Sequence, residues 1–250
     1  NEPAMSEAAK RRVKALYAAK VSWVDSCLGN VLDALDDTGL MENTAIVFTA
    51  DHGTNVGEWG RFGKGYPVRE QEGHVPLFIH VPDLGSGRSD ILVQPQDIHA
   101  TIKSLAGMPA LENGASHDVL SLAREGRRGL QEMALTGRSA DTWTGDKKEI
   151  LFTLFDEKYY LQVAADPTAS RLTPYGSVEN VADDNRSLVK TLQMAAIGEL
   201  ERRGADPALV QWLHSEGETP FPADCRFWDA WPGPAGFTPY FNKLYTEWEM

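Results

Sequence analysis

The chain has 250 residues, 42% of them hydrophobic, enough to bury one large core or two modest ones. Its formal charge of -12 argues against a general nucleic-acid binder, which needs a basic surface to release phosphate counterions. No apolar run approaches the ~20 residues of a membrane span, and Cys27 and Cys225 have neither a C-x-x-C nor a zinc spacing. The opening, NEPAMSEAAKRRVKALYAAK, is polar and helical, does not start with methionine and shows no signal-peptide pattern. It is expected not to be a natural beginning, which leaves localisation open.

Ser6 to Asp37 reads as one amphipathic helix, with Val13, Leu16, Tyr17, Val21, Val24, Leu28, Val31, Leu32 and Leu35 at intervals of three and four. Gly39 stands where a C-terminal glycine cap belongs. Thr44 to Thr49 (TAIVFT) and Val75 to Val81 (VPLFIHV) are apolar strands on either side of a loop. Asp97 is expected to cap a short helix, DIHATIKSLAGMP, stopped by Gly107 and Pro109. Helix, strand, loop, strand, helix is an α/β order.

The second half changes character. Leu130–Thr136, Ile150–Phe155 and Tyr159–Ala164 read as short strands, followed by a helix from about Asn185 to Arg203. The organisation expected is an α/β unit over 1–126, a small α+β subdomain with an antiparallel sheet over 127–215, and a tail over 216–250. That tail is rich in proline, glycine and aromatics (Phe221, Phe227, Trp228, Trp231, Phe237, Tyr240, Phe241, Tyr245, Trp248), unlike a disordered segment. Such a patch is expected to pack on its own body or on another subunit, which makes a homo-oligomer the expected state.

Phe48 to Lys64 reads FTADHGTNVGEWGRFGK. Asp51 and His52 fall where the strand runs out, and Gly53 lets the chain turn without a Cβ in the way. In open α/β sheets ligands bind at that edge. A carboxylate and an imidazole delivered together there point to a metal ion. The acidic balance leaves an anionic substrate open, because a metal and a few local cations can invert the field of one cleft.

From Tyr17 to Gly53 the sequence YAAKVSWVDSCLGNVLDALDDTGLMENTAIVFTADHG resembles the sulfatase family of the alkaline phosphatase superfamily. The resemblance runs on through Lys64, HVPLFIHVP, QPQDIHATIKSLAGMP and NGASHDVLSL. It thins to an outline at DPTASRLTPYGSVENVADD. A lone D-H-G would be weak; five motifs in order are specific.

The resemblance implies an alkaline phosphatase-like fold, with a mixed sheet between helices. It also implies a metal-dependent hydrolase of sulfate esters. Asp51 and His52 would be metal ligands, with His52 in place of the asparagine of many sulfatases. That variant is similar to iduronate-type and choline-type sulfatases and to phosphonate monoester hydrolases. Lys64, thirteen residues after Asp51, would be the catalytic lysine on the sulfuryl oxygens. His74, before V-P-L, would face the substrate or satisfy a backbone carbonyl, while His80, His99 and His117 are expected to have no catalytic role. Glu58 and Trp59 lie on the loop where selectivity could reside. The metal expected is calcium, or manganese or zinc for a phosphonate hydrolase.

The family's C/S-x-P-S/T-R nucleophile motif is absent, since Cys27 lies in DSCLGN and Cys225 in ADCRFW. The chain therefore looks like the C-terminal half of a sulfatase, with the N-terminal half as missing sequence or a separate partner. Alone it is expected to have no esterase activity. The alternatives are a phosphate or phosphonate ester hydrolase of the same superfamily, a cofactor-independent phosphoglycerate mutase, a non-catalytic binding module and an assembly domain.

Overall fold

Ser6 begins the first helix, α1 (Glu7–Asp37), by accepting the Ala9 amide on its hydroxyl at 3.3 Å. Its end follows the glycine cap expected: Gly39 takes φ +68°, its N–H reaches the Asp36 carbonyl, and the Leu40 N–H reaches that of Leu35. This computed structural model describes residues 5–65, 67–109, 116–125, 133–137 and 144–222. None of the α1 residues is buried, and Leu16, Val21, Trp23 and Val31 are each more than half exposed. The apolar stripe is present, but the described residues do not cover it.

The strand β1 (Ile46–Thr49) pairs antiparallel with β4 (Leu77–His80), Ile46 opposite His80 and Thr49 opposite Leu77. Between them lie a two-residue pair, β2 (Asn55–Val56) with β3 (Phe62–Gly63), and one helical turn, α2 (Glu70–Gly73). The mixed sheet expected between helices is represented among the described residues by the single antiparallel pair β1–β4. Next comes α3 (Pro95–Leu105). Its N-cap is Gln94 rather than Asp97, which sits one turn in and accepts the Gln94 amide at 2.8 Å. Proline at the first helical position explains the earlier start. α4 (Val119–Arg124) is capped by Asp118.

The antiparallel subdomain is a meander, β5 (Ala134–Gly137), β6 (Ile150–Phe155), β7 (Tyr159–Ala164) and β8 (Arg171–Pro174), paired in that order. The sequence reading placed β6 and β7 and missed β8, whose four residues carry a proline and an arginine. The expected strand from Leu130 begins outside the described residues, as does the boundary at Gly126; Cys225 and the aromatic tail past Pro222 also lie outside them. Two helices, α5 (Arg186–Arg202) and α6 (Pro207–His214), cover the sheet. Phe152, Leu154, Leu161, Val163, Leu172, Ile197, Leu200, Leu209 and Trp212 form a dry core. α6 was not expected, although Asp206-Pro207 is a capping signal. No helix among the described residues is long and apolar enough to cross a membrane.

Hydrogen bonds join the two parts. Thr153 donates its hydroxyl to the Val68 carbonyl at 2.7 Å, and the Gly176 amide donates to Glu70 Oε2 at 2.9 Å. Arg203 Nη2 reaches Gln94 Oε1, while Gln94 Nε2 reaches the Leu135 carbonyl. Thr153 is fully buried. Thr153→Val is therefore expected to cost about 1–3 kcal/mol, since it removes the hydroxyl donor from the Val68 carbonyl. Urea denaturation would show it; an unchanged midpoint would mean that this bond does not hold the parts together.

Candidate active site

β1 ends at Thr49, and Asp51 and His52 follow as exposed residues. The chain then passes Gly53, whose backbone is pressed against the next segment. Its amide donates to the Glu72 carbonyl at 2.9 Å, and a Cβ there would lie 2.0 Å from the Gln71 carbonyl oxygen. The glycine of Asp-His-Gly is thus required by a close backbone approach.

The β2–β3 pair explains the spacing to the lysine. Asn55 faces Gly63 and Val56 faces Phe62, so one further step places Thr54 across from Lys64. The buried Asn55 fixes that register by donating Nδ2 to the Gly63 carbonyl at 3.2 Å. The hairpin turn uses left-handed backbone at Gly57, Trp59 and Gly60. Glu58 anchors its tip, accepting the Val56 amide at 2.7 Å and lying 3.3 Å from Lys14 of α1. Burial pushes the Glu58 carboxyl up, but the Val56 and Glu58 amides and Lys14 outweigh it and hold it below the ordinary carboxylate range.

Three of the residues singled out from sequence meet. His52 Nδ1 lies 2.8 Å from the Gly53 carbonyl, which can only accept, so this nitrogen carries the proton. The lone pair of the neutral ring is then on Nε2, which accepts from Lys64 Nζ at 3.0 Å and lies 3.4 Å from Asp51 Oδ2. The Asp51 Oδ1 atom accepts the His52 amide at 2.8 Å. An imidazole lone pair, a carboxylate and an ammonium therefore share one exposed spot. The fourth candidate, His74, is exposed at the end of α2; among the described residues no hydrogen bond or ion pair joins it to the other three.

A residue that the sequence reading did not single out holds this arrangement. Glu72 is buried; its backbone carbonyl binds Gly53, and its Oε1 accepts the Gly65 amide at 2.5 Å. One residue, through its carbonyl and its side chain, thus pins the backbone next to both His52 and Lys64. No local pattern in REQEGH separates this glutamate from its exposed neighbours.

The donor set suits a divalent ion in kind, an oxygen anion beside an imidazole lone pair. It does not fill a shell by itself: zinc takes four ligands and calcium six to eight. Among the described residues no group of three or more His, Cys, Asp and Glu is placed to hold a metal.

Residues 2–108 match the family model described as Sulfatase. Arylsulfatase K of Gallus gallus is 35% identical over 116 residues, 46% of this chain and 22% of that protein. Iduronate 2-sulfatase of Mus musculus is 44% identical over 73 residues, 29% of this chain and 13% of that protein. The chain thus spans about a fifth or less of the length of these curated relatives. A solved structure from the Bacteroides thetaiotaomicron locus for metabolism of multiple glycosaminoglycans superposes with a TM-score of 0.61. It is 21% identical, and the match covers 78% of this chain and 44% of that one. The fold is therefore alkaline phosphatase-like. Over residues 2–108 the chain is thus similar to the sulfatase family.

Proposed function

We propose that the protein is a metal-dependent hydrolase of sulfate esters and that this chain supplies the C-terminal half of its active site. The observation that carries the reading is the meeting of Asp51, His52 and Lys64 at one exposed point inside the sulfatase-matching segment. A sulfate monoester is anionic, so a nucleophile approaches only if its non-bridging oxygens are neutralised. Lys64 presents a compact ammonium, suited to a near-spherical oxyanion, and the hairpin holds it at a fixed place beside His52. Asp51 and His52 Nε2 are the residues that would hold the divalent ion, and the Nδ1–H bond to Gly53 keeps the ring turned for it. When bound, the ion supplies charge neutralisation at the ester oxygens and orients the nucleophile.

The nucleophile and the remaining ligands belong, in this reading, to an N-terminal half of the same enzyme. The exposed apolar stripe of α1 supports that partner: contiguous apolar surface of this kind is normally covered. Calcium is the ion expected for a sulfatase. Phosphonate or phosphate ester hydrolysis with manganese or zinc is the second reading, favoured by imidazole being a softer ligand than an amide oxygen.

The test is to assay the whole enzyme containing this chain with an aryl sulfate and an aryl phosphonate, each with calcium, manganese or zinc. Preference for the sulfate with calcium is the expected result. Preference for the phosphonate would move the reading to the second, and no turnover of either would overturn the hydrolase assignment.

A further inference from the structure

Arg69 and Arg171 meet at the Trp59 ring, a second group of cations that the reaction above does not use. Arg69, at the N-cap of α2, is 8% exposed, yet its Nε and Nη1 have no hydrogen-bond partner among the described residues. Its guanidinium lies 4.8 Å from the centre of the Trp59 ring, and that of Arg171, on β8, lies 5.8 Å from the same ring. The Trp59 indole N–H is likewise without a hydrogen-bond partner among the described residues. Three donor atoms on Arg69 and Trp59 are thus buried without a hydrogen-bond partner among the described residues. Leaving such donors unmet is costly, and more so for a charged group.

The charge balance points the same way. Arg61 and Arg171 act on Arg69 repulsively, while Glu72 attracts it without closing an ion pair. Burial first, then the charge of Arg61, depresses the Arg69 guanidinium, as expected for a cation short of a counter-ion. Trp59 meets both guanidinium groups from a left-handed backbone, φ +60°, an uncommon and strained conformation for a bulky residue. Gly57 and Gly60, on either side, also have positive φ and let the tip turn without steric penalty.

We propose that Arg69, Arg171 and Trp59 form an oxyanion subsite that holds a second anionic group of the substrate, a carboxylate or a further sulfate. This rests on the ester-hydrolase reading and specifies it: the substrate would carry two negative groups, one at Lys64 and one here. The guanidinium fork matches the paired oxygens of a carboxylate or sulfate. The link between the two places is short in the chain. The Glu72 amide donates to the Arg69 carbonyl at 3.0 Å, and Glu72 is the residue that pins Gly53 and Gly65. Filling the subsite therefore bears directly on the segment that sets His52 and Lys64.

The test is titration of the full chain, free of metal and at constant ionic strength, with inorganic sulfate and separately with acetate, read by calorimetry. Saturable binding is expected, weakened at least about tenfold in Arg171→Ala and in Trp59→Phe and retained in Lys64→Ala. Arg69→Lys, checked for folding by circular dichroism, should weaken it as well, because a point charge replaces the fork. The relative strength of acetate and sulfate identifies which group the subsite takes. Absence of saturable binding, binding unchanged in Arg171→Ala and Trp59→Phe, or binding lost only in Lys64→Ala would overturn the proposal. Because the readout is binding, a failed esterase assay leaves it standing, and a failed titration leaves the esterase reading standing.

Discussion

Gly53→Ala is expected to abolish the site while leaving the C-terminal subdomain folded. The added methyl would sit 2.0 Å from the Gln71 carbonyl oxygen and 3.0 Å from its carbon, both backbone atoms that cannot swing aside. The two segments must part, which breaks the Gly53–Glu72 hydrogen bond and displaces the adjacent His52. A shift of about 1 Å at a catalytic group costs on the order of 10²-fold in rate. The meander and its two helices hold a separate core and should keep their unfolding transition. Turnover and circular dichroism together test this. A variant with full turnover would show that the Asp-His-Gly glycine is not needed for the approach.

Lys64→Ala in the whole enzyme is expected to lower kcat by about 10²–10³-fold, the usual cost of removing one group that stabilises a developing oxyanion. The same change removes the donor that faces His52 Nε2, so the imidazole lone pair is left free for a metal. Metal affinity should therefore hold or rise while turnover falls, a split that a merely structural lysine would not produce. Lys64→Arg should recover only part of the rate, since a planar fork replaces a compact charge. Equal losses of metal and turnover would instead make Lys64 a prop for His52.

The parts of the fold legible in the sequence were those with a local cause. The Ser6 cap, the three–four apolar spacing and Gly39 define α1 within a residue, and the short apolar and aromatic runs define β6 and β7 to the residue. β8 and α6 were illegible because four and eight residues carry little periodicity. At the site, Asp51, His52 and Lys64 were legible through motif order. Their meeting depends on the hairpin register, which the glycines at 57, 60 and 63 permit and Asn55 sets. Glu72 and Arg69 were not legible. Their roles arise from burial against segments distant in sequence, the Asp-His-Gly turn for one and the β7–β8 face for the other.

The central claim is that Asp51 and His52 hold a divalent ion used in ester hydrolysis. The measurement that tests it most directly is metal content and aryl sulfate turnover, on the same samples, of the whole enzyme and its Asp51→Ala variant. Asp51 is exposed and, among the described residues, its side chain meets the His52 amide and ring, so its loss should leave the fold intact. The account predicts that bound metal and turnover disappear together in the variant. Full metal content with a normal rate would contradict it.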